Sequence, residues 1–137
     1  TTSMITITTY INDQYLNSYW ADGLIIATPT GSTGYSLSCG GPIVMPGSEN
    51  FIITPVAPHN LNVRPLVISD KYEIKVKVEG RAKQFLVALD SRIQTMDAGL
   101  ELTIKKESFK INMIETETQD FSSTLRNKLL WGLDKRN

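Results

Sequence analysis

The sequence of 137 residues is about one domain's worth of chain, enough for a single sizeable core and too little for two ordinary lobes with a cleft between them. Fourteen Lys plus Arg balance fourteen Asp plus Glu, which removes the basic footprint of a nucleic-acid or anionic-membrane binder, and a single Cys with a single His excludes both an internal disulfide framework and a zinc cage of those ligands. No apolar run approaches the ~18 to 20 residues of a membrane span and no basic stretch leads into an apolar one at the start, so the chain reads as soluble, cytoplasmic and globular, with no nucleic-acid or membrane partner.

In chain order, the apolar positions mostly alternate or run in blocks of four to six between Gly, Pro, Asn or Asp, the pattern of strands. Met4 to Ile11 alternates, Asn12-Asp13-Gln14 offers a turn, and Tyr15 to Tyr19 completes a hairpin. Gly23 to Thr28 reads as a buried strand, and a short helix is expected to begin near Thr33 and to stop at Gly40-Gly41-Pro42. Phe51 to Pro55, Pro65 to Ser69, Tyr72 to Glu79, Gln84 to Leu89, Leu100 to Lys105 and Phe109 to Ile114 are six further predicted strands. In Tyr72 to Glu79, Ile74, Val76 and Val78 share one face while Lys75, Lys77 and Glu79 share the other, as for a strand with one wet side. Asp120 is a candidate N-cap for a C-terminal helix whose apolar stripe is Phe121, Leu125, Leu129 and Leu133, with Leu130 beside it. The fold class expected is mainly β: a β-sandwich with one short helix after a Gly-rich loop and one helix at the C-terminus, forming a single domain over residues 1–137.

The charges are unevenly spread. From Thr1 to Val63 there is no Lys or Arg, and only Asp13, Asp22 and Glu49 are charged. That segment could hold a phosphate only through backbone N–H groups, or could hold the uncharged parts of a ligand. Within it, Pro29-Thr30-Gly31-Ser32-Thr33-Gly34-Tyr35-Ser36-Leu37-Ser38 is rich in glycine and hydroxyls and follows a predicted strand. Gly31 and Gly34 permit close backbone approach, the hydroxyls suit a ribose or a base edge, and Tyr35 offers a ring for stacking. The run is neither a P-loop, which needs Gly-Lys-Ser or Gly-Lys-Thr, nor the Gly-x-Gly-x-x-Gly of a dinucleotide fold. By its residues alone it is either a ligand loop or a tight connection between core elements.

The run Asp22 to Pro42, DGLIIATPTGSTGYSLSCGGP, closely resembles the signature of the NAD kinases. Further blocks in the same order resemble that family: Ile53 to His59, Arg64 to Val67, Leu89 to Arg92, and Leu125 to Trp131. The likeness spans nearly the whole chain and implies the β-sandwich C-terminal domain of an NAD kinase, the half that grips the dinucleotide and builds a homo-oligomer, a dimer or a tetramer. The reaction so implied moves the γ-phosphoryl group of ATP, or of polyphosphate, onto the 2′-hydroxyl of the adenosine ribose of NAD, giving NADP, with a divalent metal such as Mg2+. Carried over by position, Asp22, Thr33, Gly34, Tyr35, Ser36, Leu37, Ser38, Ala57 and Arg92 would surround NAD, with Asp22 and Tyr35 resembling positions at its nicotinamide and adenosine ends. Many members have Ala where Gly34 stands and Gln where Arg92 stands, and some have a basic residue where Trp20 stands. The family's Gly-Gly-Asp-Gly motif and Asn-Glu pair occur nowhere in this chain. No catalytic residue or metal ligand is therefore assigned here, and the chain is expected to be a truncated part, inactive alone, whose missing partner is an N-terminal α/β lobe. Thr1-Thr2-Ser3 reads as an arbitrary beginning. The alternatives are a non-catalytic β-sandwich binding module, or a lipid or sugar kinase of the same superfamily; the polar loop counts against a lipid acceptor.

Among the remaining residues, His59 is read as fixing a loop through a hydrogen bond, Cys39 as a buried filler, the Lys75 and Lys77 pair as a solvated strand face, and Trp131 as a core or subunit contact. Asp90 is read equally as a turn carboxylate or a ligand contact.

Overall fold

The structure, a computed structural model, describes residues 4–114, 116–117 and 120–131. The chain divides into two compact units, Thr1–Lys106 and Glu107–Asn137. The first is all antiparallel sheet apart from one Gly-rich connection. Its strands are β1 (Ile5–Ile11), β2 (Gln14–Ala21), β3 (Gly23–Ala27), β4 (Asn50–Val56), β5 (Leu66–Ser69), β6 (Ile74–Glu79), β7 (Gln84–Leu89), β8 (Arg92–Asp97) and β9 (Glu101–Ile104). They form a four-stranded sheet ordered β2-β1-β6-β9, a three-stranded sheet ordered β3-β4-β5, and the two-stranded ribbon β7-β8.

The two larger sheets meet through one core. Ile7, Tyr19, Ile74, Val76 and Val78 come from the first and Phe51 and Ile53 from the second. Burial accounts for the alternation within β6, whose Ile74, Val76 and Val78 are buried while Lys77 and Glu79 are exposed, as expected from the sequence. Lys75 is only half wet: its Nζ donates to Asp13 Oδ1 at 2.6 Å, and that bond raises the lysine pKa above its ordinary value. Burial pushes the Tyr19 phenol up, partly offset by a hydrogen bond with the Asn17 side chain.

The first hairpin turns on Asn12 and Asp13 alone, both with positive φ (48° and 64°), and Ile11 pairs with Gln14. Asn and Asp tolerate that left-handed region, which a two-residue hairpin with the strands' own twist requires. Asn12 is also pinned from outside, since its Oδ1 accepts the Glu73 N–H and its own N–H donates to Glu73 O, each at 2.9 Å.

Two predicted elements differ. Phe109 to Ile114 is not a strand: Phe109, Ile111, Met113 and Ile114 are exposed, and among the described residues the segment has no neighbouring strand to complete its ladder. Conversely, β8 is a strand the apolar pattern does not reveal, because it pairs only with β7 and five of its six residues are exposed. In the second unit, the second helix in chain order, α2 (Phe121–Leu129), has Asp120 as its N-cap, whose Oδ1 accepts the Ser123 N–H at 2.7 Å. Phe121, Leu125 and Leu129 of its stripe are half-buried, Leu130 and Trp131 are exposed, and Leu133 lies outside the described residues. Trp131 is thus not a core residue of this chain. Among the described residues no helix is long and apolar enough to cross a membrane.

Candidate functional site

The Gly-rich segment leaves β3 and folds as a 3-10 turn, Thr30–Thr33, followed by a single helical turn, α1 (Tyr35–Ser38). The short helix expected to begin near Thr33 is thus a single turn starting at Tyr35; Gly34, with φ −91° and ψ −134°, separates it from the 3-10 turn that precedes it. The turn ends in a Schellman arrangement, where Gly40 has φ +87° and its N–H donates to Leu37 O at 3.0 Å, while Gly41 N–H donates to Ser36 O at 2.8 Å.

Two hydroxyls latch this segment. Ser32 is fully buried; its Oγ donates to Pro29 O at 2.6 Å and accepts the Val44 N–H at 3.0 Å. Ser36 is equally buried, and its Oγ lies 2.9 Å from Thr54 Oγ1 of β4. On β4, Phe51 and Ile53 enter the core, so Ile52 and Thr54 point to the other face, and both are fully buried. The Gly-rich segment meets that face at Thr54. Gly41 is needed for this approach, because a Cβ there would stand 2.8 Å from both Ser36 O and Thr54 Oγ1. Thr54, which supports the segment from beneath, is the residue that the sequence reading did not single out. Its signal was a hydroxyl inside an otherwise apolar run, FIITP.

The predicted site residues fall into three places. Thr33, Gly34, Tyr35, Ser36, Leu37 and Ser38 are contiguous on the latched segment; Tyr35 is 64 % exposed and Ser38 is exposed, whereas the Ser36 side chain faces inward. Asp22 and Ala57 meet at the start of the β3–β4 pair. Asp22 is the single residue linking β2 to β3, its N–H donates to Val56 O at 2.9 Å, and Gly23 pairs with Val56. Ala57 follows with φ +48°, an uncommon conformation for a residue with a Cβ. Arg92 opens β8 beside the turn of the ribbon, paired with Leu89 and exposed. Asp90 has φ +54° in that turn.

Next to the Asp22 corner, the His59 N–H donates to Trp20 O at 2.8 Å and the two rings pack with centroids 4.2 Å apart. The loop is fixed as expected of His59, but by its backbone N–H, with the imidazole laid against the indole. Cys39 is half-buried rather than buried.

The sequence profile of the ATP-NAD kinase C-terminal domain matches residues 1–116. The chain belongs to that family. It is 68% identical over 137 residues to the NAD kinase of Flavobacterium psychrophilum, covering 100% of this chain and 47% of that protein. Against the NAD kinase of Cytophaga hutchinsonii it is 58% identical over 135 residues, 98% of this chain and 46% of the other. The chain thus spans about half the length of the curated relatives it matches. Among solved structures, yeast NADH kinase complexed with NADH superposes with a TM-score of 0.82 at 28% identity, over 96% of this chain and 41% of that one. An Archaeoglobus fulgidus NAD kinase in complex with ATP gives 0.69 at 36% identity, over 78% and 41%. The mainly β, antiparallel architecture expected from the sequence is that of an NAD kinase C-terminal domain.

The family resemblance also implies a divalent metal. Among the described residues no group of three or more His, Cys, Asp or Glu side chains is placed to hold one. Those residues thus offer no cage of their own for the ion.

Proposed function

We propose that this chain is the dinucleotide-gripping half of an NAD kinase, acting in a complete protein that transfers the γ-phosphoryl group of ATP to the 2′-hydroxyl of the adenosine ribose of NAD. A bond forms between the 2′-oxygen and the γ-phosphorus, the bond from that phosphorus to the bridging oxygen of ADP breaks, and the hydroxyl proton leaves to a base outside this chain. NADP and ADP are the products. The observation that carries the reading is the latched Gly-rich segment, held down by Ser32 and Ser36 while Tyr35 stays 64 % exposed.

In this reading the exposed Tyr35 ring stacks on the ligand, Thr33 and Ser38 offer hydroxyls, and Gly34 and Leu37 bring backbone close to it. Ser36 acts from beneath, setting the position of the turn. Asp22 and Ala57 make a second contact point, and Arg92 a third. The absence of any Lys or Arg before Arg64 suits the uncharged parts of the dinucleotide and leaves the phosphate side of the site to the rest of the protein. A cytoplasmic homo-oligomer, dimer or tetramer, accepting ATP or polyphosphate with Mg2+, completes the proposal.

The test is steady-state kinetics of NADP formation by the complete protein and its Tyr35→Ala variant. Loss of the stacking face is expected to raise KM for NAD by about tenfold or more while KM for ATP stays within about twofold. An unchanged KM for NAD would overturn the assignment of this segment.

A further inference from the structure

Away from the proposed ligand contacts, the two larger sheets each end in an edge strand, β9 in the four-stranded sheet and β5 in the three-stranded one. Ile104 of β9 and Ile68 of β5 are both partly buried against the shared core. Just beyond these strands the two sheets are joined by charge, since Lys106 Nζ lies 3.1 Å from Asp70 Oδ2. Asp70 follows β5, and its backbone N–H donates to Glu49 O at 3.0 Å. Lys106 follows β9 and is the last residue of the first unit.

The two partners differ in their surroundings. The Asp70 side chain is only 11 % exposed, and its Oδ1 is sealed from solvent with no hydrogen-bond partner among the described residues. The Lys106 side chain is 43 % exposed, so it is the member of the pair that reaches water. The Lys75–Asp13 pair is the opposite case: it lies within the first sheet and its hairpin turn, and its carboxylate is 76 % exposed. Water takes over when an exposed carboxylate loses its lysine, and little changes. A buried carboxylate has no such substitute, so losing its cation leaves a charge that must be hydrated, and hydration requires the chain around it to part. We propose that Lys106 and Asp70 form a charge-operated clasp between the two sheets, closed while Lys106 carries its positive charge and opened at the ends of β5 and β9 when that charge is removed. Lys106, through its exposed end, is the group on which the clasp is operated. The inference is independent of the function proposed above.

The test is native-state hydrogen exchange in the complete protein, read at the Asp70 amide and at the amides of β9. Two variants remove the charge and keep most of the side chain's length: Lys106→Gln, and Nε-acetyllysine installed at position 106. Both are expected to exchange at least about tenfold faster at these amides than the unaltered protein, with circular dichroism unchanged. Lys106→Arg, which keeps the charge, is expected to stay within about threefold of the unaltered rates, and so is Lys75→Gln, whose carboxylate partner is exposed. Adding Asp70→Asn to Lys106→Gln removes the orphaned charge and is expected to bring the rates back toward those of the unaltered protein. Unchanged exchange in both charge-removing variants overturns the proposal. Acceleration in Lys106→Arg equal to that in Lys106→Gln, or a double variant that opens as far as Lys106→Gln alone, would trace the effect to packing and overturn it as well.

Discussion

A hydroxyl buried beneath a ligand segment does its work through its partner. Ser36 and Thr54 are both sealed from solvent, and each supplies the other's hydrogen bond at 2.9 Å. Removing one hydroxyl leaves the other buried and unpaired, which costs about 1–3 kcal/mol. Ser36→Ala and Thr54→Val are each expected to lower unfolding free energy in urea by about that amount, and the double variant by clearly less than the two losses together, because no orphan remains. Strict additivity would mean that the pair does not hold the segment to β4. The residue type alone does not disclose this role: Ser36 sits in a motif whose hydroxyls range from the buried Ser32 to the exposed Ser38, and only the pairing of β3 with β4 brings Thr54 beneath it.

At the level of elements, the α2 helix begins on a titratable cap. The Asp120 carboxylate accepts the Ser123 backbone N–H, and that bond, with the Ser123 hydroxyl and the nearby Arg126, holds its pKa below the ordinary 3.8. A lowered pKa means that the folded helix favours the ionised cap. The stabilisation is therefore present above pH ~4 and is lost as pH falls through the lowered value. The Ser123 amide resonance is expected to titrate below 3.8 in the native protein and to stop titrating in Asp120→Asn, where a neutral cap remains. A midpoint at or above 3.8 would refute this. The cap was legible in the sequence because capping is a local interaction, and β6 was legible because one of its faces is buried and the other wet. The errors have the same root. Phe109 to Ile114 has the alternation of a strand but no neighbour to pair with among the described residues, and β8 has a neighbour but too little burial to impose an alternation. Apolar periodicity records what a segment could bury, whereas a ladder needs a second strand.

For the whole molecule, the decisive feature is the division of charge. Every Lys and Arg lies from Arg64 onward, while Asp22, the Gly-rich segment and Ala57 all precede it. A family signature made this half recognisable in the sequence, but the depth of Thr54 and the packing of Trp20 on His59 arise from tertiary contact and have no local pattern. The same division predicts what the 137 residues do alone. Phosphoryl transfer depends on holding donor and acceptor in line and on cations that meet the charge spreading over the transferred group. Of the proposed contacts only Arg92 is cationic, and it stands on the exposed β7-β8 ribbon; none of the others is a basic side chain. With NAD, ATP and Mg2+, the isolated chain is expected to form no NADP above the uncatalysed level in a coupled assay, while the complete protein turns over under the same conditions. The two are compared at equal molar concentration, with circular dichroism verifying that the isolated chain keeps its β structure. Turnover by the isolated chain would show that a phosphate-organising group resides within these residues and would move the catalytic assignment into this half.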